Sequence, residues 1–527
     1  MSKSLPPRPS LEQLKKQAKE FLQSLRSRQP DALRRLREFH PDYAKLAESE
    51  LARARFSLAD AQFTLAREYR FSSWVKIKAR IEMLTASHDP AVALQAAILA
   101  NDIAGVAGLL EKFPALKDRL DEPLPDYGFG ATPLMAAVHR TNREMIELLL
   151  SAGADINARS HWWAGSFGVL DNDHGLADFL IARGARVDAH AAARLGMLDK
   201  LRELIAADPA VVASRGGDGQ TPLHFACSVE VARFLLDHGA EIDALDVDHE
   251  STPAQYMMGD RREVARYLVS RGCRTDLLMA AALGDLDLVR RLLDEDPSRV
   301  HLSVSREHFP MKNPRAGGSI YIWTLGPNKT PHVLAHESGH ASVLQYLMQR
   351  SPDSLKLSLA LELGDNALFD RILATTPDLP KALAPAERRR LADAAQNRNL
   401  EMVRRMLEAG WPVDARGQHG GTALHWAAFH GQAEMTRLIL GFQPPLEVVD
   451  FDFGGPPLGW AIHGSMGDGH RDNADFGGTV TALLKAGAKP PPEIFGSPAV
   501  QAVLREFVSA RCREERDGAG PDLSKPA

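Results

Sequence analysis

Short apolar helices separated by polar turns recur along most of this chain. Thr221 and Pro222 begin one such helix, because a threonine side chain can accept a hydrogen bond from a free backbone N–H at the N-cap and proline loses no bond at the first helical position. The small Ala226 follows, and a second helix carries a leucine pair at 235–236. Gly239 then ends that helix, because glycine adopts the left-handed conformation without strain. Two short helices cannot bury their apolar faces alone, so the pattern predicts a stack of repeats.

Two stretches carry the start of the repeat most completely. Residues 219–226 read Gly-Gln-Thr-Pro-Leu-His-Phe-Ala, and residues 421–428 read Gly-Thr-Ala-Leu-His-Trp-Ala-Ala. Both resemble the T-P-L-H-x-A signature of ankyrin repeats. The resemblance implies an all-α ankyrin-repeat solenoid of about twelve irregular helix-turn-helix repeats. The copies are predicted to start near Val92, Gly128, Ser160, Asp188, Gly217, Asp248, Arg274, Lys329, Leu357, Arg389, Gly417 and Asp452.

The repeat pattern divides the chain into three predicted regions. Residues 1–86 form a basic helical domain without the repeat signature, and residues 90–490 form the solenoid, with insertions near 300–328 and 463–478. Residues 491–527 hold a C-terminal capping helix followed by a disordered tail. A solenoid needs such caps because its end repeats would otherwise expose their apolar faces.

Charge separates the N-terminal region from the repeats. Residues 1–85 contain 18 Lys and Arg against 10 Asp and Glu, whereas the rest of the chain contains 45 against 58. Within this basic region, residues 58–62 and 66–74 resemble the leader found ahead of some bacterial ankyrin-repeat proteins. Residues 62–80 also resemble a helix-turn-helix, so a nucleic-acid-linked regulator is one alternative function. The other is that the basic region caps the first repeat.

Segments that break the repeat length are the candidates for partner binding. Long loops in compact proteins are usually functional or disordered. The insertion at 300–328 combines aromatic and cationic side chains, a composition that favours a binding loop, although packing against the solenoid is an equal alternative. The candidate partner-binding residues are Trp162, Trp163, His308, Phe309, Lys312, Arg315, Tyr321, Trp323 and His463.

One short motif suggests catalysis. Residues 336–340 read His-Glu-Ser-Gly-His and match H-E-x-x-H, in which two histidines on one helix face bind zinc. The motif lies in register within a repeat, however, and its Gly-His falls where a helix should end. A zinc hydrolase is therefore a remote alternative. No catalytic residue, metal ligand or cofactor is assigned.

The leading hypothesis is a non-enzymatic scaffold that binds another protein through the concave face and loops of the solenoid. The three cysteines Cys227, Cys273 and Cys512 show no paired spacing, which favours a reducing compartment. No apolar run is long enough for a signal peptide or a membrane span. We therefore expect a cytoplasmic protein without membrane contact. A monomer is expected, and the identity of the partner stays open.

Overall fold

The structure of the protein is a computed structural model. It describes residues 11–44, 56–69, 90–125, 127–466 and 474–517, together with isolated positions between 46 and 81. These residues contain many helices and no β-strand, which confirms the predicted all-α class. They form two compact units. Unit 1 contains residues 1–275 and 304–328, and unit 2 contains residues 276–303 and 329–527.

The N-terminal part of unit 1 is a small group of helices with its own core. Its helices are Leu11–Arg26, Pro30–Phe39, Pro41–Ala44 and Leu58–Glu68. The last of them begins at a capping box, in which Asp60 N donates to Ser57 Oγ (3.2 Å) and Ser57 N donates to Asp60 Oδ2 (2.7 Å). Arg35 and Glu68 form a two-pronged ion pair that ties the second helix to the last. Arg70 and Arg80 of the suggested helix-turn-helix lie outside the described residues.

Unit 1 then builds six repeats, numbered 1 to 6. Their helices are Pro90–Leu99 with Ile103–Lys112, Pro133–His139 with Arg143–Ser151, Ala177–Ile181 alone, Ala189–Leu195 with Leu198–Ala207, Pro222–Phe225 with Val229–Asp237, and Pro253–Tyr256 with Arg262–Ser270. Repeat 3 keeps only its second helix, because residues 161–176 form turns where the first helix would be. The first helix of repeat 5, Pro222–Phe225, has a single turn.

Unit 2 builds repeats 7 to 12 and a final helix. The pairs are Leu277–Leu283 with Leu286–Glu295, Pro331–Glu337 with Ala341–Arg350, Asp353–Ala360 with Asn366–Thr375, Arg390–Gln396 with Leu400–Glu408, Ala423–Phe429 with Ala433–Leu440, and Pro457–Gly464 with Phe476–Lys485. A short helix Pro385–Arg388 precedes repeat 10. The helix Pro498–Asp517 packs against the last repeat and buries Val500 and Leu504.

The local rules that predict the repeats also describe their ends. Thr132 caps the first helix of repeat 2 by accepting a hydrogen bond from Met135 N (3.3 Å). Gly153 and Gly239 follow the second helices of repeats 2 and 5 with φ of +108° and +90°, the left-handed geometry that glycine tolerates.

Both predicted insertions have different limits in the structure. The residues that group with unit 1 begin at 304, because Val300 is buried in the turn Pro297–His301 of repeat 7. The second insertion is predicted to begin at His463, but His463 lies inside the helix Pro457–Gly464. Residues 467–473 of that insertion and 518–527 of the tail lie outside the described residues.

Candidate functional site

Residues 304–328, here called the loop, are anchored on unit 1 by hydrogen bonds to one turn. That turn precedes the first helix of repeat 6, and we call such a turn a repeat tip. The carboxylate of Glu250 accepts from the backbone N–H of Lys312 (3.0 Å) and of Asn313 (2.7 Å). Ser251 Oγ accepts from Ile320 N (3.2 Å). The loop therefore packs against repeat 6.

Two glycines let the loop close over the same tip. Gly317 N donates to Asp248 Oδ1 (3.1 Å), and a Cβ at Gly317 would lie only 3.3 Å from His249 Cε1. Gly318 has φ of +100°, a conformation that side chains disfavour. Its carbonyl oxygen lies 2.8 Å from His249 Nδ1, which donates to it. The loop backbone therefore sets the orientation of the His249 ring.

Beneath the loop, two carboxylates converge on that histidine. Asp218 belongs to the tip of repeat 5 and has φ of +54°, and its carbonyl accepts from Asp248 N (3.2 Å) in the next tip. His249 Nε2 lies 3.9 Å from Asp218 Oδ2 and 3.7 Å from Asp248 Oδ2. All three side chains are buried. Their potential ligand atoms lie within 4.8 Å of one another, the arrangement of a small cation site.

The charge of this cluster is incompletely balanced. Burial raises the pKa of Asp218 to about 6, His249 opposes that rise, and the carboxylates of Asp248 and Asp246 add to it. Burial also raises the pKa of Asp246, although Tyr256 Oη donates to its Oδ2 (3.0 Å). Three acidic groups therefore share one buried region with a single histidine. A carboxylate buried in this way is stabilised either by binding a proton or by binding a cation.

The structure brings four of the predicted binding residues to the rim of this cluster. The indole of Trp162 lies close enough to Asp218 to lower its pKa. The guanidinium of Arg315 lies over the ring of Trp163 at 4.5 Å, and the two indoles of Trp162 and Trp163 are 6.2 Å apart. Trp323 is 60% exposed, and its ring lies 4.8 Å from that of His249. Aromatic and cationic groups thus surround the buried acids.

The other predicted residues of the loop have different surroundings. Tyr321 is fully buried and packs edge-on against Phe309 at 5.4 Å, so its side chain forms the core of the loop. His308 Nδ1 lies 3.0 Å from Ser305 Oγ. Lys312 contributes its backbone N–H to Glu250. A direct role of these residues in binding stays a prediction.

His463 borders a second candidate site, an apolar pocket of about 520 Å³ in unit 2. Its ring is stacked on Phe429 at 6.4 Å, and Trp426 and Trp460 meet edge-to-face at 5.1 Å. Phe451 and Phe453, in the tip of repeat 12, are 73% and 71% exposed. The aromatic and histidine residues that line the pocket are His419, Trp426, Phe429, Phe453, Trp460, His463 and Phe495.

Three protein-family models match the chain. They describe ankyrin repeats in three copies at residues 189–277, ankyrin repeats in many copies at 391–440, and a single ankyrin repeat at 129–161. The chain is an ankyrin-repeat protein. Ankyrin repeats are protein-interaction modules, so the coarse part of the leading hypothesis is confirmed.

The chain is also similar to one known protein and to one solved structure. A segment of 100 residues is 30% identical to the palmitoyltransferase Hip14 of Drosophila melanogaster, and it covers 19% of this ankyrin-repeat protein and 14% of that relative. The crystal structure of the human ASB11 ankyrin repeat domain matches with 20% identity and a TM-score of 0.21. That match covers 58% of this chain and all of the ASB11 chain. None of the described helices combines the length and apolar character that a membrane crossing requires.

The histidines of the ankyrin signature join neighbouring repeats. His224 Nδ1 accepts from Thr221 N (3.0 Å), and its Nε2 lies 3.2 Å from the carbonyl oxygen of Ser251 in the next repeat. His332 Nε2 lies 2.7 Å from Ser351 Oγ. The signature histidines therefore bond to neighbouring turns. Burial lowers the pKa of His224 to about 3, which keeps the ring neutral.

The H-E-x-x-H segment of this ankyrin-repeat protein does not form one helix face. The helix Pro331–Glu337 ends at the glutamate, and Gly339 follows with φ of +73°. His336 is exposed, whereas His340 Nε2 lies 3.3 Å from the carbonyl oxygen of Ala282. The carboxylate of Glu337 is paired with Lys329. The two histidines therefore belong to different elements, as the repeat register predicts.

Sequence reasoning missed the acidic cluster. Asp218 and Asp248 are separated by about one repeat length, and only the stacking of adjacent tips brings them together. The sequence does contain a signal of this contact. Asp218 and His249 occupy the same position in their repeats, three residues before Thr221 and Thr252. Acidic and histidine residues at matching positions of neighbouring repeats can meet, because consecutive repeats stack in register.

Proposed function

We propose that this ankyrin-repeat protein is a non-enzymatic scaffold that binds another protein, and that an apolar side chain of the partner enters the pocket in unit 2. The exposure of Phe453, which lines that pocket, and of Phe451 in the same tip carries the proposal. Single exposed apolar residues are ordinary, but large contiguous apolar patches mark interaction sites. We name this surface, made of Phe451, Phe453 and the pocket, the aromatic patch.

The composition of the aromatic patch is that of an interface centre. Aromatic residues, tryptophan above all, dominate the binding energy of interfaces when they surround a pocket that excludes water. Trp426 and Trp460 are almost fully buried and form the walls of the pocket, and Phe429 packs against both. An apolar side chain that enters between these rings would be removed from much of its water, which favours binding.

The rim of the aromatic patch is held in place before any partner binds. The guanidinium of Arg416 lies over the ring of Phe451 at 4.6 Å and donates to the carbonyl of Val449 (2.9 Å). His419 Nδ1 lies 2.6 Å from Asp452 Oδ2. A surface that is already ordered loses less conformational entropy when a partner binds, so these contacts favour a tighter complex.

Affinity capture with the full chain tests the proposal. Wild type is compared with the double variant Phe451→Ser/Phe453→Ser and with Phe442→Ser, a control whose ring is 38% exposed elsewhere in unit 2. We expect a specific partner to bind wild type and the control and to be lost with the double variant. Capture of the same partner by the double variant at the wild-type level would contradict the proposed site.

The remaining features of the proposal have their own tests. We propose that the protein acts as a monomer in the cytoplasm, which light scattering and cell fractionation can measure. The similarity to a palmitoyltransferase covers 14% of that relative and supports no proposal of enzymatic activity. DNA binding by residues 1–85 stays a prediction. A gel shift that weakens with salt would favour it.

A further inference from the structure

We propose that Asp218, Asp248 and His249 bind one divalent transition-metal cation, of the class represented by Zn²⁺ and Mn²⁺. The three side chains are buried, and one ligand atom from each lies within 4.8 Å of the others. One imidazole nitrogen with two carboxylate oxygens suits these cations better than Mg²⁺ or Ca²⁺, which prefer oxygen ligands alone.

The imidazole of His249 is already oriented for metal binding. Its Nδ1 donates to the carbonyl of Gly318 (2.8 Å), so the neutral ring carries its lone pair on Nε2. Such a contact to a backbone carbonyl is the usual way in which a metal-binding histidine is oriented. The distances of 3.7 and 3.9 Å from Nε2 to the two carboxylates are too long for hydrogen bonds. Ligand atoms around a bound Zn²⁺ are about 3.4 Å apart, so a small inward movement would complete the site.

A separate observation at Asp218 points to a ligand. Asp218 is only 8% exposed, and its Oδ1 makes no hydrogen bond of normal length, although the Trp162 indole lies near the carboxylate. Burying a weakly bonded carboxylate oxygen is costly, and a cation would lower that cost. Asp218 also lines a cavity of about 180 Å³ together with Gln220, Asp171 and His139. The cavity gives a cation, or a water that completes its coordination, a place beside the carboxylate.

The last two repeats provide an internal comparison. His419 lies three residues before Thr422, the position of Asp218 before Thr221, and Asp452 lies where Asp248 lies in repeat 6. There a histidine and an aspartate form a close pair, with Nδ1 and Oδ2 2.6 Å apart. In repeats 5 and 6 a second carboxylate replaces that histidine, and the two acids face each other. A bound cation would bridge the two acids of repeats 5 and 6, as the hydrogen-bonding contact of His419 bridges the two tips in unit 2.

Cation binding would also hold the loop. The Gly318 carbonyl orients one ligand, and the Gly317 N–H binds another, so the loop is bonded to two of the three proposed ligands. Fixing those ligands around a cation restricts the loop backbone as well. A bound cation would therefore link the loop to the tips of repeats 5 and 6.

Isothermal titration of the metal-free full chain with Zn²⁺ tests the proposal. The comparison includes Asp218→Asn, His249→Gln and the control Asp452→Asn, which changes the matching position in unit 2. We expect one Zn²⁺ per chain in wild type and in the control, and at least tenfold weaker binding in both site variants. Amide exchange at residues 317–318 should slow with Zn²⁺ in wild type and in the control, but not in the two site variants.

Two results would overturn the proposal. One is the absence of stoichiometric Zn²⁺ binding by wild type. The other is wild-type affinity in either His249→Gln or Asp218→Asn. If a variant fails to fold, which circular dichroism would show, the Zn²⁺ stoichiometry of wild type still tests the proposal.

Discussion

His425 Nε2 lies 3.2 Å from the carbonyl oxygen of Gly455, which belongs to the following repeat. The other ring nitrogen, Nδ1, accepts from Thr422 N at 3.0 Å. Since Nδ1 must be unprotonated to accept, the ring is neutral and Nε2 carries the proton that it donates to Gly455. Burial accordingly lowers the pKa of His425 to about 4.

This contact predicts that the folding stability of unit 2 decreases at acidic pH. The unfolded chain binds a proton at His425 near pH 6.5, whereas the folded chain resists it down to about pH 4. The stability that this residue contributes is therefore complete above the unfolded pKa and decreases as pH falls from 6.5 towards 4. We expect His425→Asn to reduce the slope of unfolding free energy against pH in that window by about 1.4 kcal/mol per pH unit. Urea unfolding followed by circular dichroism measures the slope, and an unchanged slope would contradict the assignment.

The anchoring of the loop predicts a local effect of Glu250→Ala. The carboxylate of Glu250 accepts from the N–H groups of Lys312 and Asn313, and its loss leaves both donors to water. We expect amide exchange at residues 312–313 to accelerate by about fivefold to thirtyfold, which corresponds to roughly 1–2 kcal/mol of lost local stability. Mass-spectrometric exchange measures it. The exposed Glu241→Ala is the matched control, and equal acceleration in both variants would show that Glu250 does not anchor the loop.

Much of the fold follows from local rules that the sequence exposes. Thr132, Thr252 and Thr330 begin helices because their side chains satisfy free N–H groups, and these residues are recognisable one by one. Gly239 ends a helix for an equally local reason. The repeat spacing then places His224 and His425 in register with the next turn. For these elements the sequence carries both the residue and its partner at a fixed distance along the chain.

The candidate sites were less predictable because they depend on contacts between segments far apart in sequence. The convergence of Asp218 with Asp248 requires knowing how two tips stack, and Gly318 reaches His249 only because the loop folds back over repeat 6. His463 was assigned to an insertion because glycines and charged residues follow it, yet the helix Pro457–Gly464 continues past it. The His463 ring stacks on Phe429, and composition alone does not reveal such packing.

The close approach of two helices beside the aromatic patch predicts an effect of Gly464→Ala. A Cβ at Gly464 would lie 2.2 Å from the carbonyl oxygen of Phe429, so one helix would have to move. We expect the variant to lower the stability of unit 2 by about 1–3 kcal/mol. Gly477→Ala is the control, because its nearest neighbour would be Asp475 Oδ1 at 3.8 Å, an ordinary contact. Urea unfolding compares the two variants, and equal midpoints would show that the helices adjust freely.

The geometry of the H-E-x-x-H segment predicts that its histidines do not hold a metal. The helix ends at Glu337, which is paired with Lys329, and His340 contacts the carbonyl of Ala282. Two histidines that do not share a helix face cannot close around one ion as the motif requires. We therefore expect His336→Ala to retain the zinc content of wild type after equilibrium dialysis, while Asp218→Asn loses it. Metal analysis by mass spectrometry measures both, and zinc that disappears with His336→Ala but persists in Asp218→Asn would restore the hydrolase alternative.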